Sequence, residues 1–193
     1  MRVLHQLVFA IIVAACAATA SAAGDVSETA RFPATGSIEI AFTPRDRVDR
    51  LIVAAIDNAQ HEVLVLAYSF TDRSIARALV RARARGASVR VVADREQARS
   101  LPQNVLQDLV NGGVEVALEG RFQAAHNKVI VIDAEGPSAT TITGSYNYTI
   151  AAQRSNAENV LVLRDNPPAA KAYRDNWLHL NARALPWPGV ASP

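Results

Sequence analysis

The sequence predicts an α/β fold, a mixed β-sheet flanked by helices on both faces. Two observations carry that reading. Short apolar runs rich in β-branched residues alternate with helical, 3.6-periodic segments over most of the 193 residues. Two of these runs, 126–133 and 140–143, lie too close together for a parallel crossover, so that pair is antiparallel and the sheet is mixed. Half of the chain is apolar, which suits one domain with its own core, expected over residues 33–185.

Each element has its own signal. Ser37–Phe42 (SIEIAF) alternates as a short strand, and Val48 to Ala59 is apolar at helical spacing. Glu62–Tyr68 (EVLVLAY) is a near-continuous apolar strand. Thr71 or Asp72 caps the next helix, which runs to about Arg85 and stops at Gly86. Ala87–Ala93 is a strand, Pro102–Asn111 a helix ended by Gly112-Gly113, and Val114–Leu118 a short strand. The strands His126–Asp133, Thr140–Thr143 and Asn159–Leu163 follow. A helix from Pro167 to about Arg183 precedes a tail containing Pro186 and Pro188.

Residues 1–23 are expected to stand outside the domain. Arg2, the apolar run LVFAIIVAACAATA and the small-x-small pattern Ala20-Ser21-Ala22 predict a secretory signal peptide, hence a secreted or periplasmic product. Val13-Ala14-Ala15-Cys16 resembles a lipobox, which leaves a lipid anchor on Cys16 as the alternative. Cleavage near Ala22 removes the chain's one cysteine, so neither disulfides nor thiolate metal sites are expected. The net charge is +2, and the only lysines are Lys128 and Lys171. A lysine at the mouth of an apolar strand is therefore conspicuous.

In that strand, HNKVIVID, side chains at i and i+2 share a face. His126 and Lys128 point together, with Ile130 and Ile132 behind them, whereas Asp133 faces the other way. This places a nucleophile or base beside a fixed cation. Ser145 and Asn147, in the turn GSYN, supply uncharged donors suited to anionic oxygens. Glu158, at the start of another apolar strand, is placed to orient His126 through one ring nitrogen. Taken singly, each residue has an ordinary reading as surface, turn or strand-edge chemistry. The functional reading rests on their convergence.

Together these residues resemble the phospholipase D superfamily, whose signature is H-x-K-x4-D followed by G-S-x-N. It stands here as His126, Lys128 and Asp133, then Gly144, Ser145 and Asn147, with Asn156-Ala157-Glu158-Asn159 downstream. Residues 66–96 are similar to a strand-helix-strand of the small secreted bacterial endonucleases of that superfamily. One departure is the ten-residue interval between Asp133 and Gly144, longer than in the compact nucleases.

The resemblance implies the following roles. His126 attacks phosphorus and forms a phosphohistidine. Lys128 and Asn147 hold non-bridging oxygens, Ser145 organises the site, Glu158 orients His126 and Asp133 is structural support. A second histidine must protonate the leaving oxygen. His61 and His179 lack a lysine two residues on, so a homodimer sharing two copies of His126 is expected. No residues stand at metal-ligand spacing, and neither metal nor cofactor is expected.

The implied activity is a metal-independent phosphodiesterase, foremost a sequence-tolerant DNA or RNA endonuclease. Phospholipase D action on phosphatidylcholine-type lipids is the enzymatic alternative, and a silent nucleic-acid-binding module is the non-enzymatic one. No extended apolar surface segment is evident in the mature part, which favours nucleic acid. Arg73, Arg77, Arg81 and Arg85 form a stripe that is either a solvated helix face or a phosphate track. Tyr146, Tyr148 and Phe122 either stack on bases or pack in the core.

Overall fold

The computed structural model describes residues 29–188, and the expected signal segment and Cys16 lie outside the described residues. Strand β1 (Ser37–Phe42) and helix α1 (Val48–Asp57) lead into three strands, β2 (Glu62–Ala67), β3 (Ser88–Asp94) and β4 (Glu115–Glu119). Helix α2 (Arg73–Ala84) joins the first two; the short helices α3 (Arg95–Ser100) and α4 (Leu106–Asn111) join the last two. Then come β5 (Lys128–Ile132), β6 (Thr140–Gly144), α5 (Ile150–Arg154), β7 (Asn159–Arg164), α6 (Pro167–Asn181) and β8 (Leu185–Pro186). The sheet order is β1-β7-β6-β5-β2-β3-β4-β8. The trio β2–β3–β4 is parallel, and every other pairing is antiparallel, including the expected β5–β6 hairpin.

Period-2 alternation sorts the central strands into two cores. Val63, Val65, Ile130, Ile132 and Ile142 meet Ile52 and Ile56 of α1 and Ile75 and Leu79 of α2. On the other face, Leu64, Leu66, Val129 and Val131 meet Ala170, Trp177 and Leu180 of α6. Trp177 is fully buried, and its indole Nε1 donates to the Val65 carbonyl at 2.9 Å. Helices therefore flank both faces, as the sequence predicts.

Several boundaries differ from expectation, each for a local reason. Helix α3 is absent from the sequence reading; Asp94 caps it by accepting from Gln97 N at 2.8 Å. The helix expected from Pro102 begins only at Leu106. Asn104 holds a turn there, donating to the carbonyls of Ala98 and Leu101 and accepting from Leu106 N. Helix α5, also unforeseen, is capped by Thr149. The proline-containing tail is partly structural: Leu185–Pro186 pairs with β4, and Trp187 N donates to the Val116 carbonyl.

Edge strand β1 corrects a further expectation. Its alternation turns Ile38, Ile40 and Phe42 to solvent, 57%, 58% and 48% exposed, and only Ala41 inward. Helix α6 packs across β2 to β6 and stops short of this edge. An apolar strip is thus present at the surface, contrary to the sequence reading.

Asp133 ends β5 in a left-handed conformation, φ 50°, which aspartate tolerates better than most residues. Its carboxylate accepts from three backbone N–H groups, those of Gln60, His61 and Glu62, each at 2.8 Å. Those bonds fasten the end of β5 to the start of β2. Asp133→Ala is expected to lower unfolding free energy by about 3 kcal/mol, because three charge-assisted bonds and a favourable left-handed residue are lost. The check is the urea midpoint at constant m value, and an unchanged midpoint would remove Asp133 from its anchoring role.

Candidate active site

Strand register gathers five of the six sequence-predicted residues at one end of the sheet. Lys128 opens β5 opposite Ala67 at the end of β2, and Gly144 at the end of β6 pairs with Val160 near the start of β7. His126, Ser145, Asn147 and Glu158 occupy the turns at these same strand ends. Asp133 stands at the opposite end of β5, where both of its carboxylate oxygens are taken by backbone N–H groups.

The expected pairing of His126 with Lys128 is present and close. The Lys128 ammonium donates to the His126 carbonyl at 2.8 Å and stands 3.1 Å from the His126 ring Nδ1. Lys128 is only 7% exposed, whereas His126 is exposed. Burial lowers the Lys128 pKa below the ordinary lysine value, and the negative charge of Glu158 partly opposes that shift. The site thus holds a cation poorly supplied with counter-charge beside an accessible imidazole.

Tyr68 belongs to this group and was missed from sequence. Its ring centroid lies 4.3 Å from that of His126, and the Lys128 ammonium sits 4.9 Å over its face. A half-buried aromatic thus borders both functional side chains, confining the imidazole and offering its negative face to the cation. The one sequence signal was its position at the end of an apolar strand beside the strand that carries the motif. Asp94 was also missed. Its second carboxylate oxygen accepts from Ala125 N at 2.8 Å and pins the segment entering His126.

Gly144 is required by close backbone approach. A Cβ there would collide with the Asn159 carbonyl oxygen across the β6–β7 pair. This approach lets Ser145 N donate to the Asn159 carbonyl at 3.1 Å, while the Ser145 hydroxyl accepts from Asn159 N at 3.0 Å. Ser145 therefore clamps the start of β7. The Asn147 side-chain oxygen is buried without a hydrogen-bond partner among the described residues.

Glu158 is held by its backbone, donating to the Thr43 hydroxyl at 3.1 Å and accepting from Thr43 N at 3.0 Å. Its carboxylate accepts from Asn156 Nδ2 at 2.9 Å. In the single chain Glu158 acts on Lys128 through charge, and Lys128 rather than Glu158 is the partner at His126 Nδ1. Tyr146 and Tyr148 are 1% and 2% exposed, so they pack rather than await bases, while Phe122 is 52% exposed. Among the described residues no group of three or more His, Cys, Asp or Glu side chains is arranged to hold a metal ion.

The family model described as the PLD-like domain of cardiolipin synthase matches residues 52–180. Phospholipase D of Rickettsia conorii is 35% identical over 158 residues, 82% of this chain and 74% of that protein. The solved structure of Nuc, a phospholipase D family member from Salmonella typhimurium, superposes with a TM-score of 0.73 at 29% identity, covering 78% of this chain and 97% of that one. NucT from Helicobacter pylori shares the fold, with a TM-score of 0.70 at 22% identity over 78% and 99% of the two chains. On the motif, the sheet that presents it and these likenesses, the chain belongs to the phospholipase D superfamily and is a hydrolase of phosphodiester bonds.

Proposed function

We propose that this protein is an exported, metal-independent endonuclease of broad sequence tolerance, working through a phosphohistidine in a homodimeric site. The observation that carries the reading is the pairing of an exposed His126 with a buried Lys128 ammonium. The support for nucleic acid over lipid is the resemblance of residues 66–96 to small secreted endonucleases and the polar surroundings of the site.

The chemistry follows from the hydrogen bonds. While the Lys128 ammonium donates to Nδ1, that nitrogen is an acceptor and the neutral ring carries its proton on Nε2. A phosphodiester entering the site offers Lys128 two anionic oxygens, which compete with Nδ1 for the ammonium. Once Lys128 turns to phosphate, the ring proton moves to the Nδ1 side, where the Glu158 carboxylate can accept it in a hydrogen bond. The freed Nε2 lone pair then attacks phosphorus. A P–N bond forms, the P–O bond to the leaving group breaks, and His126 of the partner subunit, in its imidazolium form, gives the leaving oxygen its proton and becomes neutral. Water, deprotonated by that second imidazole, then attacks phosphorus and breaks the P–N bond. Lys128, Asn147 and the nearby donors stabilise charge on the non-bridging oxygens throughout.

The second reading is hydrolysis of a phospholipid by the same histidine chemistry. It is favoured by the exposed apolar strip Ile38, Ile40 and Phe42 and by the phospholipase D name carried by the Rickettsia conorii relative. Plasmid DNA and phosphatidylcholine vesicles, each assayed in excess EDTA, separate the two. Cleaved DNA with intact lipid is the expected result, whereas released choline with intact DNA would transfer the protein to the second reading.

His126→Ala is expected to reduce turnover by at least about three orders of magnitude with the thermal melt unchanged. Persistent activity would remove His126 as the nucleophile. Dilution through the dimer dissociation range should lower specific activity, and a fully active monomer in light scattering would overturn the shared site. The pH profile tests Lys128. Its ammonium is the active form and its pKa is depressed, so activity falls on the alkaline side below the ordinary lysine range. Glu158→Gln removes the charge that opposes the depression, so the alkaline limb of kcat/KM should move to still lower pH. A limb that stays in place or moves upward would contradict the assignment.

A further inference from the structure

The arginine stripe on α2 divides in two. In its C-terminal half, Arg81 pairs with Asp57 through bonds of 3.0 and 2.7 Å. Arg85 donates to the Ile56 carbonyl at 3.0 Å and stands 3.7 Å from Asp57. Those two guanidiniums are spent on joining α1 to α2. In the N-terminal half, Arg73 and Arg77 are exposed and make no ion pair or hydrogen bond with the described residues.

Both line a cleft of about 740 Å³ that also receives Arg154 from α5, a third arginine without a partner among the described residues. The acids in this cleft are already engaged. Asp49 is paired with Arg47 at 2.7 Å, and Asp72 caps α2 by accepting from Ser74 N and Ile75 N at 2.7 and 3.2 Å. The uncommitted charge is therefore cationic, and the positive end of the twelve-residue helix α2 adds to it. The hydroxyl of Tyr146, 1% exposed, has no hydrogen-bond partner among the described residues and lies in the electrostatic field of Asp72, Asp49 and Arg47.

The backbone ties the cleft to the reactive end. The Tyr148 carbonyl accepts from Thr71 N and Asp72 N at 2.9 Å each, and Tyr148 directly follows Asn147. Thr149, next along, caps the helix that carries Arg154. Asn147 and the cleft-lining Ile150 are three steps apart in the chain and so at most about 10 Å from each other, a separation that neighbouring phosphates of one strand can bridge. A phosphatidylcholine-type lipid has one phosphate, which the reaction places at His126, so it would leave these arginines without an anion.

We propose that this cleft is a second phosphate subsite, gripping the backbone of a nucleic-acid strand beside the phosphate under attack. The proposal rests on the endonuclease reading and supplies its means of holding a polymer without reading bases.

The test measures binding and turnover separately. A fluorescein-labelled single-stranded oligonucleotide is titrated against the His126→Ala protein by anisotropy across a series of salt concentrations. Adding Arg73→Gln, Arg77→Gln and Arg154→Gln together should flatten the plot of log K against log salt by about 2, at about 0.7 per phosphate contact on a single strand. At about 0.1 M salt that corresponds to roughly 100-fold weaker binding. Arg81→Gln, a charge removed from the same helix but outside the cleft, should leave the slope unchanged.

A triple variant that keeps the parent slope, or an Arg81→Gln variant that loses as much as any cleft arginine, would overturn the proposal. Displacement of the oligonucleotide by vesicles of a lipid with two phosphates, in the parent but not in the triple variant, would overturn its choice of nucleic acid. Turnover of bis(p-nitrophenyl) phosphate by the wild-type protein reports independently on the His126 chemistry. Normal turnover with an unaltered slope defeats the cleft alone, and the predicted slope change with no turnover of any diester defeats the endonuclease reading alone.

Discussion

A lysine ammonium held 7% exposed against a histidine ring nitrogen, a backbone carbonyl and a tyrosine face governs the rest of this structure. Removing such a cation from water costs several kcal/mol unless an anion offsets it. Among the described residues no carboxylate makes contact with it, and Glu158 acts on it only through charge. The fold has therefore met the desolvation cost in advance, and an arriving phosphate collects the benefit. This is preorganisation in the electrostatic sense: the site is better matched to an anionic ligand than to its own empty state.

Holding that unfavourable cation requires rigidity on every side. Antiparallel pairing to β2 fixes the backbone of Lys128, its neighbour Val129 pairs with Thr143 of β6, and the Thr143 hydroxyl donates to the Lys128 carbonyl at 3.2 Å. Asp94 restrains the entering segment through Ala125, and Asn127 accepts from Tyr68 N at 3.0 Å. At the far end of the strand, Asp133 takes three N–H groups from the α1–β2 turn. The two ends of β5 therefore do opposite work. One carries reactive groups whose own bonds are incomplete, and the other is saturated with hydrogen bonds.

The parts legible in the sequence were those set by strand periodicity. The expected pairing of His126 with Lys128 is present, although the strand begins at Lys128 rather than His126, which stands in the turn before it; Asp133 lies apart from them, as expected, beyond the far end of β5. The glycine in GSYN was visible as a motif letter, but its cause, the Asn159 carbonyl across the sheet, is a long-range contact that no local pattern reveals. Tyr68 was hidden for the same reason: it is 58 residues from His126 in sequence and reaches it only through the β2–β5 pairing. The outward turn of Ile38, Ile40 and Phe42 was illegible because alternation gives two faces without saying which one a helix covers. Nor could spacing divide the α2 stripe, since the partners of Arg81 and Arg85 come from α1.

The partition of charge between the site and the proposed phosphate subsite follows from that arrangement. At His126 a single buried cation acts, and its burial makes it strong over a short range and dependent on pH. In the cleft, three exposed guanidiniums act, ionised at every working pH but weakened by salt. A ligand with one phosphate can satisfy only the first region, whereas a chain of phosphates satisfies both. One His–Lys pair in the described chain also leaves the leaving oxygen without a second imidazole. The proposed reading therefore makes each chain complete for gripping a strand and half complete for cutting it, so that strand binding and subunit pairing become separable properties of one end of the sheet and one cleft.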